Sequence, residues 1–162
     1  MSTPLEIERK YLIEYPDVAW LESRPDVKKS HITQTYLASP DGSEVRVRRR
    51  EEKGAVTYYR TEKRAVTAVV REEDERIITE VEYEAALALA DPAKHPLRKT
   101  RYVLPYRGLC IEIDVYPFWD DKAIAEVELP SEDTPVVFPD EVKVIREVTG
   151  ETAYKNSTLA KL

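Results

Sequence analysis

The feature that most constrains this chain is a row of charge that repeats on one face of strand after strand. In Leu5-Glu-Ile-Glu-Arg-Lys-Tyr11, side chains that alternate across a strand put Glu6, Glu8 and Lys10 on one face. Leu5, Ile7 and Tyr11 fall on the other, together with Arg9. The same alternation gives Arg46, Arg48 and Arg50; then Lys63 beside Tyr59 and Thr61; then Arg71, Glu73 and Glu75. It continues with Lys99 and Arg101, Glu112 and Asp114, and Glu126 and Glu128. Val45, Val47, Ile111, Ile113, Ala125 and Val127 stand opposite. The charged face carries eight acids and eight bases. An antiparallel sheet can turn such a face to water. Alternatively the sheet closes and the charges line its lumen, which is costly unless the lumen holds something charged.

Strand patterns cover 4–14, 32–38, 43–51, 55–64, 69–78, 98–106, 109–117, 123–129 and 142–148. Turn signals at Ser39-Pro-Asp-Gly42, Lys53-Gly54 and Arg107-Gly108 join neighbours as hairpins, so the sheet is mainly antiparallel. Helices are expected from Asp17 to Ser23, from the capping box Thr79-Glu-Val-Glu82 to about Ala90, and from Gly150 to about Lys161 with Thr149 as cap. Lys28-Lys29 reads as a solvated turn, and His31 and His95 fall near expected loops. Trp20 is expected to pack its short helix onto the outer wall. The expected fold is α+β: one domain over 1–162, a closed antiparallel barrel with helices outside.

Several functions conflict with this composition. The net charge of −6 disfavours a general coat for nucleic acid or an acidic membrane. With four glycines there is no Gly-rich phosphate loop and no dinucleotide fingerprint, so any phosphate must be held by side chains. The single Cys110 suggests a reducing compartment, and one Cys with two His makes a zinc site improbable. No apolar leader follows Met1, so a cytoplasmic protein without a membrane span is expected.

The two signs suggest complementary chemistry. Carboxylates two residues apart lie ~7 Å apart along a strand and can converge on one hard cation. Glu6/Glu8, Glu73/Glu75 and Glu126/Glu128 are such pairs, and all-oxygen donors favour Mg2+ or Mn2+. Rows of Arg and Lys suit phosphate oxygens. Together they describe a site for a metal-bridged polyphosphate.

At this point the chain resembles the CYTH superfamily, the triphosphate tunnel metalloenzymes. Glu6-Ile-Glu8-Arg-Lys10 matches the signature ExExK. Gln34-Thr-Tyr36-Leu, Val45-Arg-Val-Arg48, Thr61-Glu-Lys63, Arg71-Glu-Glu73-Asp-Glu75 and Lys99-Thr-Arg101 follow in the family's order. So do Ile113-Asp114-Val, Ala125-Glu126-Val-Glu128-Leu and Glu147-Val-Thr149 with Tyr154-Lys155-Asn156. The likeness spans roughly 4–160. Asp121-Lys-Ala-Ile124 replaces the family's Gly-Leu, and Arg49 with Arg50 makes the third strand unusually basic.

The resemblance implies an eight-stranded tunnel, open at both ends. Arg46, Arg48, Lys63, Lys99 and Arg101 would hold phosphate oxygens, and Lys10 would contact the reacting end of the substrate. Glu6, Glu8, Asp114, Glu126 and Glu128 would hold metal, with Glu73 and Glu75 as further tunnel acids. Lys155 sits where relatives carry a helix closing one mouth; with Glu6, Glu8 and Lys10 it makes up the expected catalytic group. The activity implied is metal-dependent hydrolysis of a small-molecule triphosphate by a monomer or homodimer, foremost inorganic tripolyphosphate to pyrophosphate and phosphate. Class IV adenylate cyclase and thiamine triphosphatase would use the same site, the latter with an aromatic clamp from Trp20, Phe118 or Trp119. A non-catalytic polyphosphate-binding module is the alternative of another class.

Overall fold

The computed structural model describes residues 5–162; the expected strand start at residue 4 lies outside them. Nine strands form one antiparallel sheet: β1 (Leu5–Glu14), β2 (Lys28–Tyr36), β3 (Glu44–Glu52), β4 (Ala55–Ala65), β5 (Val70–Ile78), β6 (Leu97–Tyr106), β7 (Leu109–Val115), β8 (Lys122–Glu128) and β9 (Val144–Glu147). Helix α1 (Val18–Ser23) follows β1, α2 (Glu80–Leu87) follows β5, and a 3-10 turn (Thr152–Tyr154) with α3 (Asn156–Leu159) ends the chain. The order is β5-β4-β3-β2-β6-β7-β8-β1-β9. Leu5, Glu6 and Ile7 of β1 pair with Glu72, Arg71 and Val70 of β5, which closes β1–β8 into an eight-stranded barrel. Further along β1, β9 lies beside Tyr11–Ile13.

Local chemistry fixes these elements. Lys53 (φ 50°) and Gly54 (φ 81°), like Arg107 (φ 48°) and Gly108 (φ 80°), put two successive left-handed residues in a two-residue hairpin. Their twist matches that of the flanking strands. Asp17 caps α1 by accepting from the Trp20 amide, and Thr79 with Glu82 forms the expected capping box of α2.

Four expectations shift. Lys28 and Lys29 are not a turn: they open β2 opposite Val103 and Tyr102, and His31 sits mid-strand opposite Thr100 and Glu51. Lys-Lys-Ser-His has no alternation of its own, so the register of β6 makes it a strand. The terminal helix is also not continuous. Lys155, at φ −69° and ψ 141°, is extended and separates the 3-10 turn from α3. Thr149 does not cap it either; its hydroxyl accepts from the Lys10 amide at 2.9 Å.

The apolar face is the outer wall. Ile13, Tyr102, Leu104, Ile111, Ile113, Ala123, Ala125 and Val127 pack under Leu21 of α1 with Val18 and Trp20, and under Val136, Phe138 and Val142. A non-helical segment, 129–143, therefore covers this wall together with α1. On the other side Val45, Val47 and Ile78 pack against Tyr83 of α2. Among the described residues no helix is long and apolar enough to cross a membrane.

Inside, the charged rows end in apolar residues of the same parity. Leu12, Tyr36, Leu97, Tyr116 and Ile124 meet Val148, Leu159 and Ala160 and form a plug at one end. On the side of β1, β2, β6, β7 and β8 the barrel is thus filled rather than open. Ile113 is fully buried while Ile77 is 71% exposed at the opposite rim. Ile113→Ala should cost about 2–5 kcal/mol in urea unfolding, whereas Ile77→Ala should stay within about 0.5 kcal/mol.

Candidate active site

The plug is the floor of a cavity of about 200 Å³. Eight acids line it: Glu6, Glu8, Glu44, Glu73, Glu75, Glu112, Glu126 and Glu128. Eight bases do too: Lys10, Arg46, Arg48, Arg50, Lys63, Arg71, Arg101 and Lys155. Since the formal sum is zero, any selectivity must come from where the signs lie. The strand order separates them. Consecutive strands β4, β3, β2 and β6 carry Lys63, the β3 arginines, Lys99 and Arg101. The remaining arc, β7, β8, β1 and β5, carries Glu112, Asp114, Glu126, Glu128, Glu6, Glu8, Glu73 and Glu75. Lys10 and Arg71 are the bases set into the acidic arc, and Glu44 is the acid set into the basic one.

Register sharpens this polarity. Glu8 stands directly opposite Glu128, and Glu112 opposite Glu126. Like charges directly across a strand pair repel. Burial pushes the Glu8 carboxyl up to about 8, with Glu126 and Glu6 adding to the effect against Lys63 and Lys10. Glu73 is pushed up to about 7, again by burial first, and Glu128 is raised by burial and by Glu6 and Glu112. The basic arc mirrors this. Burial and the neighbouring Arg46 and Arg101 push Arg48 down to about 10. The Nε atoms of Arg46 and Arg48 are buried without a hydrogen-bond partner. Crowded carboxylates call for a cation, and crowded guanidinium donors call for an anion.

Ion pairs bridge the arcs. Lys63 Nζ donates to both oxygens of Glu6, at 2.9 and 3.2 Å. Arg48 Nη2 donates to Glu75 Oε2 at 2.9 Å, which also accepts from the Thr61 hydroxyl at 2.7 Å. Lys10 Nζ lies 3.5 Å from Glu126 Oε1 and donates to the Tyr154 carbonyl at 3.1 Å. Burial would raise the Glu126 carboxyl, but Lys10, Lys99 and Arg101 together hold it well below the usual range. Arg46, Arg71 and Lys155 have no ion-pair partner among the described residues.

The structure brings together every expected site residue except two. Lys99 and Asp114 lie beneath the lining. Asp114 accepts from Arg101 Nε at 2.8 Å and Nη2 at 2.9 Å, and Lys99 Nζ is 2.8 Å from its Oδ2. Burial would raise its carboxyl; Arg101 and Lys99 hold it low. Both oxygens are thus occupied by cations, so Asp114 fixes Arg101 and offers no free edge to a metal. Burial pushes Lys99 down to about 8 despite Asp114. Glu44 and Asn156 line the cavity and were not singled out from sequence. Glu44 precedes Arg46 by two residues, so the alternation already placed it there. Asn156, on α3, carries no strand signal. Trp20, Phe118 and Trp119 do not line the cavity, whose single aromatic ring is Tyr36.

The donor set fits a hard divalent cation. Glu6, Glu8, Glu126 and Glu128 offer only oxygens, two of them opposed across β1 and β8. As placed, no three acids converge closely enough to hold a metal among the described residues, and Glu6 is held by Lys63. Without a cation, the raised Glu8 carboxyl has a consequence for stability. From pH 4.5 to about 8 the folded state keeps a proton that the unfolded chain releases, so this group destabilises increasingly as pH rises. In chelator, Glu8→Gln should be more stable than wild type at pH 8.5 by on the order of 1–3 kcal/mol, and the gain should vanish near pH 4.5 in thermal melts.

A family model, the CYTH domain, matches residues 4–161. The inorganic triphosphatase of Acetivibrio thermocellus is 31% identical over 166 residues, 96% of this chain and 93% of the relative. The crystal structure of the inorganic triphosphatase NE1496 superposes with a TM-score of 0.57 at 26% identity, covering 100% of this chain and 98% of the other. The Hippeastrum protein HpAC1, described as having a dominant triphosphatase activity, shares the fold (TM-score 0.52, 19% identity, 78% of this chain and 80% of the other).

Proposed function

The chain belongs to the CYTH domain family, and on that premise we propose that it hydrolyses inorganic tripolyphosphate to pyrophosphate and phosphate in a divalent-metal-dependent reaction. The observation that carries the substrate is the cavity lining: sixteen charged groups, with Tyr36 as its one aromatic ring. Such walls recognise phosphate oxygens and, with Tyr36 almost fully buried, give an adenine or a thiamine ring little aromatic face to stack on. The likeness to two inorganic triphosphatases supports the same substrate.

Arg46, Arg48, Lys63 and Arg101 bind the phosphate oxygens from the basic arc. The orphaned Nε donors of Arg46 and Arg48 gain acceptors when they do. Asp114 and Lys99 act from beneath, holding the Arg101 guanidinium in a fixed plane. Glu6, Glu8, Glu126 and Glu128 would hold Mg2+ or Mn2+, which supplies neutralisation of charge developing on the phosphate oxygens. Glu73 and Glu75 border that position on β5. Lys10 and Lys155 approach the terminal phosphoryl group, where a water attacks in line with the departing pyrophosphate. The chain needs no covalent nucleophile, and fixed charges stabilise the transition state without reorganisation.

Lys63→Ala and Glu6→Gln should each lower phosphate release from tripolyphosphate by about 100-fold or more. Excess EDTA should abolish turnover, and added Mg2+ or Mn2+ should restore it. Turnover at the wild-type rate in both variants, or turnover that EDTA leaves intact, would overturn the assignment. Product analysis with ATP and thiamine triphosphate alongside tripolyphosphate tests the substrate.

A further inference from the structure

The break in the terminal helix falls on the residue that reaches the cavity. Lys155 is extended, with the 3-10 turn before it and α3 after it. It is half-buried, lines the cavity, and has no ion-pair partner among the described residues. A four-residue helix has almost no stability of its own. The direction of Lys155 therefore depends on what pins the chain on either side.

Two side-chain bonds do so. Before Lys155, the Tyr154 carbonyl accepts from Lys10 Nζ at 3.1 Å. After it, Asn156 Oδ1 accepts from the hydroxyl of Tyr116. Tyr116 is fixed in turn: it is 1% exposed, sits in the plug, and stacks on Phe118 with ring centroids 5.2 Å apart. Asn156 is itself buried, and Leu159 and Ala160 extend the plug beneath it. The Asn156 bond thus ties the short α3 segment beside the cavity to the barrel interior.

We infer that Asn156 is a positioning residue: through its bond to Tyr116 it sets where the Lys155 ammonium enters the cavity, and so how tightly the end of a tripolyphosphate chain is held. The inference rests on the proposed use of this cavity for tripolyphosphate. A residue serving only to fold the terminus would affect stability but would not act through Lys155.

The experiment is a double-mutant cycle on the full chain, read as tripolyphosphate affinity by calorimetry in EDTA, with KM and kcat in Mg2+ alongside. Lys155→Ala should weaken binding about tenfold. Asn156→Leu should weaken it about three- to tenfold, raising KM more than it lowers kcat. Asn156→Leu combined with Lys155→Ala should be no weaker than Lys155→Ala alone. Tyr116→Phe keeps the ring in the plug and removes only the hydroxyl, so it should reproduce Asn156→Leu and replaces it if that variant does not fold. Wild-type affinity in Asn156→Leu and Tyr116→Phe, or losses that multiply in the double variant, would overturn the positioning role while leaving the proposed function standing. A wild-type protein that neither binds nor hydrolyses tripolyphosphate would remove both.

Discussion

Everything in this structure depends on placing opposite charges inside a closed sheet without letting them cancel. Taking an ion out of water costs several kcal/mol even after relaxation, and a pair repays that only with good geometry. The chain meets the cost in two layers. Below the cavity, Lys99 and Asp114 are paired with each other, and Asp114 also fixes Arg101 in the lining above. Above them, the acidic and basic arcs face each other and pair only in part, leaving Arg46, Arg71 and Lys155 without acidic partners among the described residues. The deep layer supplies rigidity, and the shallow layer keeps binding capacity. An interior of perfectly matched pairs would be more stable and could bind nothing.

The arcs arise from topology rather than from any local motif. Strands β3 and β4 form one hairpin and β7 and β8 are neighbours, so each sign is laid down in contiguous stretches. Closure of β5 onto β1 then joins Glu73 and Glu75 to Glu6 and Glu8. The plug works at right angles to this division. Leu12, Ile124, Leu97 and Tyr116 continue the charged rows in parity but not in chemistry, which gives the lumen a floor. A floor defines an end, so on this side the lumen is a cavity rather than an open bore.

Much of this was legible in the sequence, because period-two alternation decides facing and the charges sit at the alternating positions. Glu6, Glu8, Arg46, Arg48, Lys63 and Glu126 all emerge that way and all line the cavity. What alternation cannot give is depth. Asp114 and Glu112 share a face two residues apart on β7, yet one is sealed between two cations and the other borders the cavity. Depth follows from barrel tilt and from which side chains reach across the lumen, and neither is local. The start of β2 was hidden because Lys28-Lys-Ser-His31 takes its register from β6. The break at Lys155 was hidden because Thr149 offers a cap and no proline interrupts Gly150 to Lys161, while the contacts with Lys10 and Tyr116 that hold the chain on either side of Lys155 are not local.

The Glu6–Lys63 pair connects the two halves of the proposed chemistry. Each residue is more than 90% buried and each is the other's ionic partner. A phosphate that takes Lys63 leaves Glu6 as a buried carboxylate without its counter-charge, which is the more costly state unless a cation replaces the ammonium. The converse holds for a cation that takes Glu6. Anion and cation therefore favour each other through the protein, in addition to their direct attraction, and the coupling is reciprocal by linkage. A cavity wired in this way still binds either ion alone, but less tightly than the two together, because each by itself strands a buried charge. Only a ligand presenting both signs at once relieves both arcs, and a metal-bridged polyphosphate has that composition.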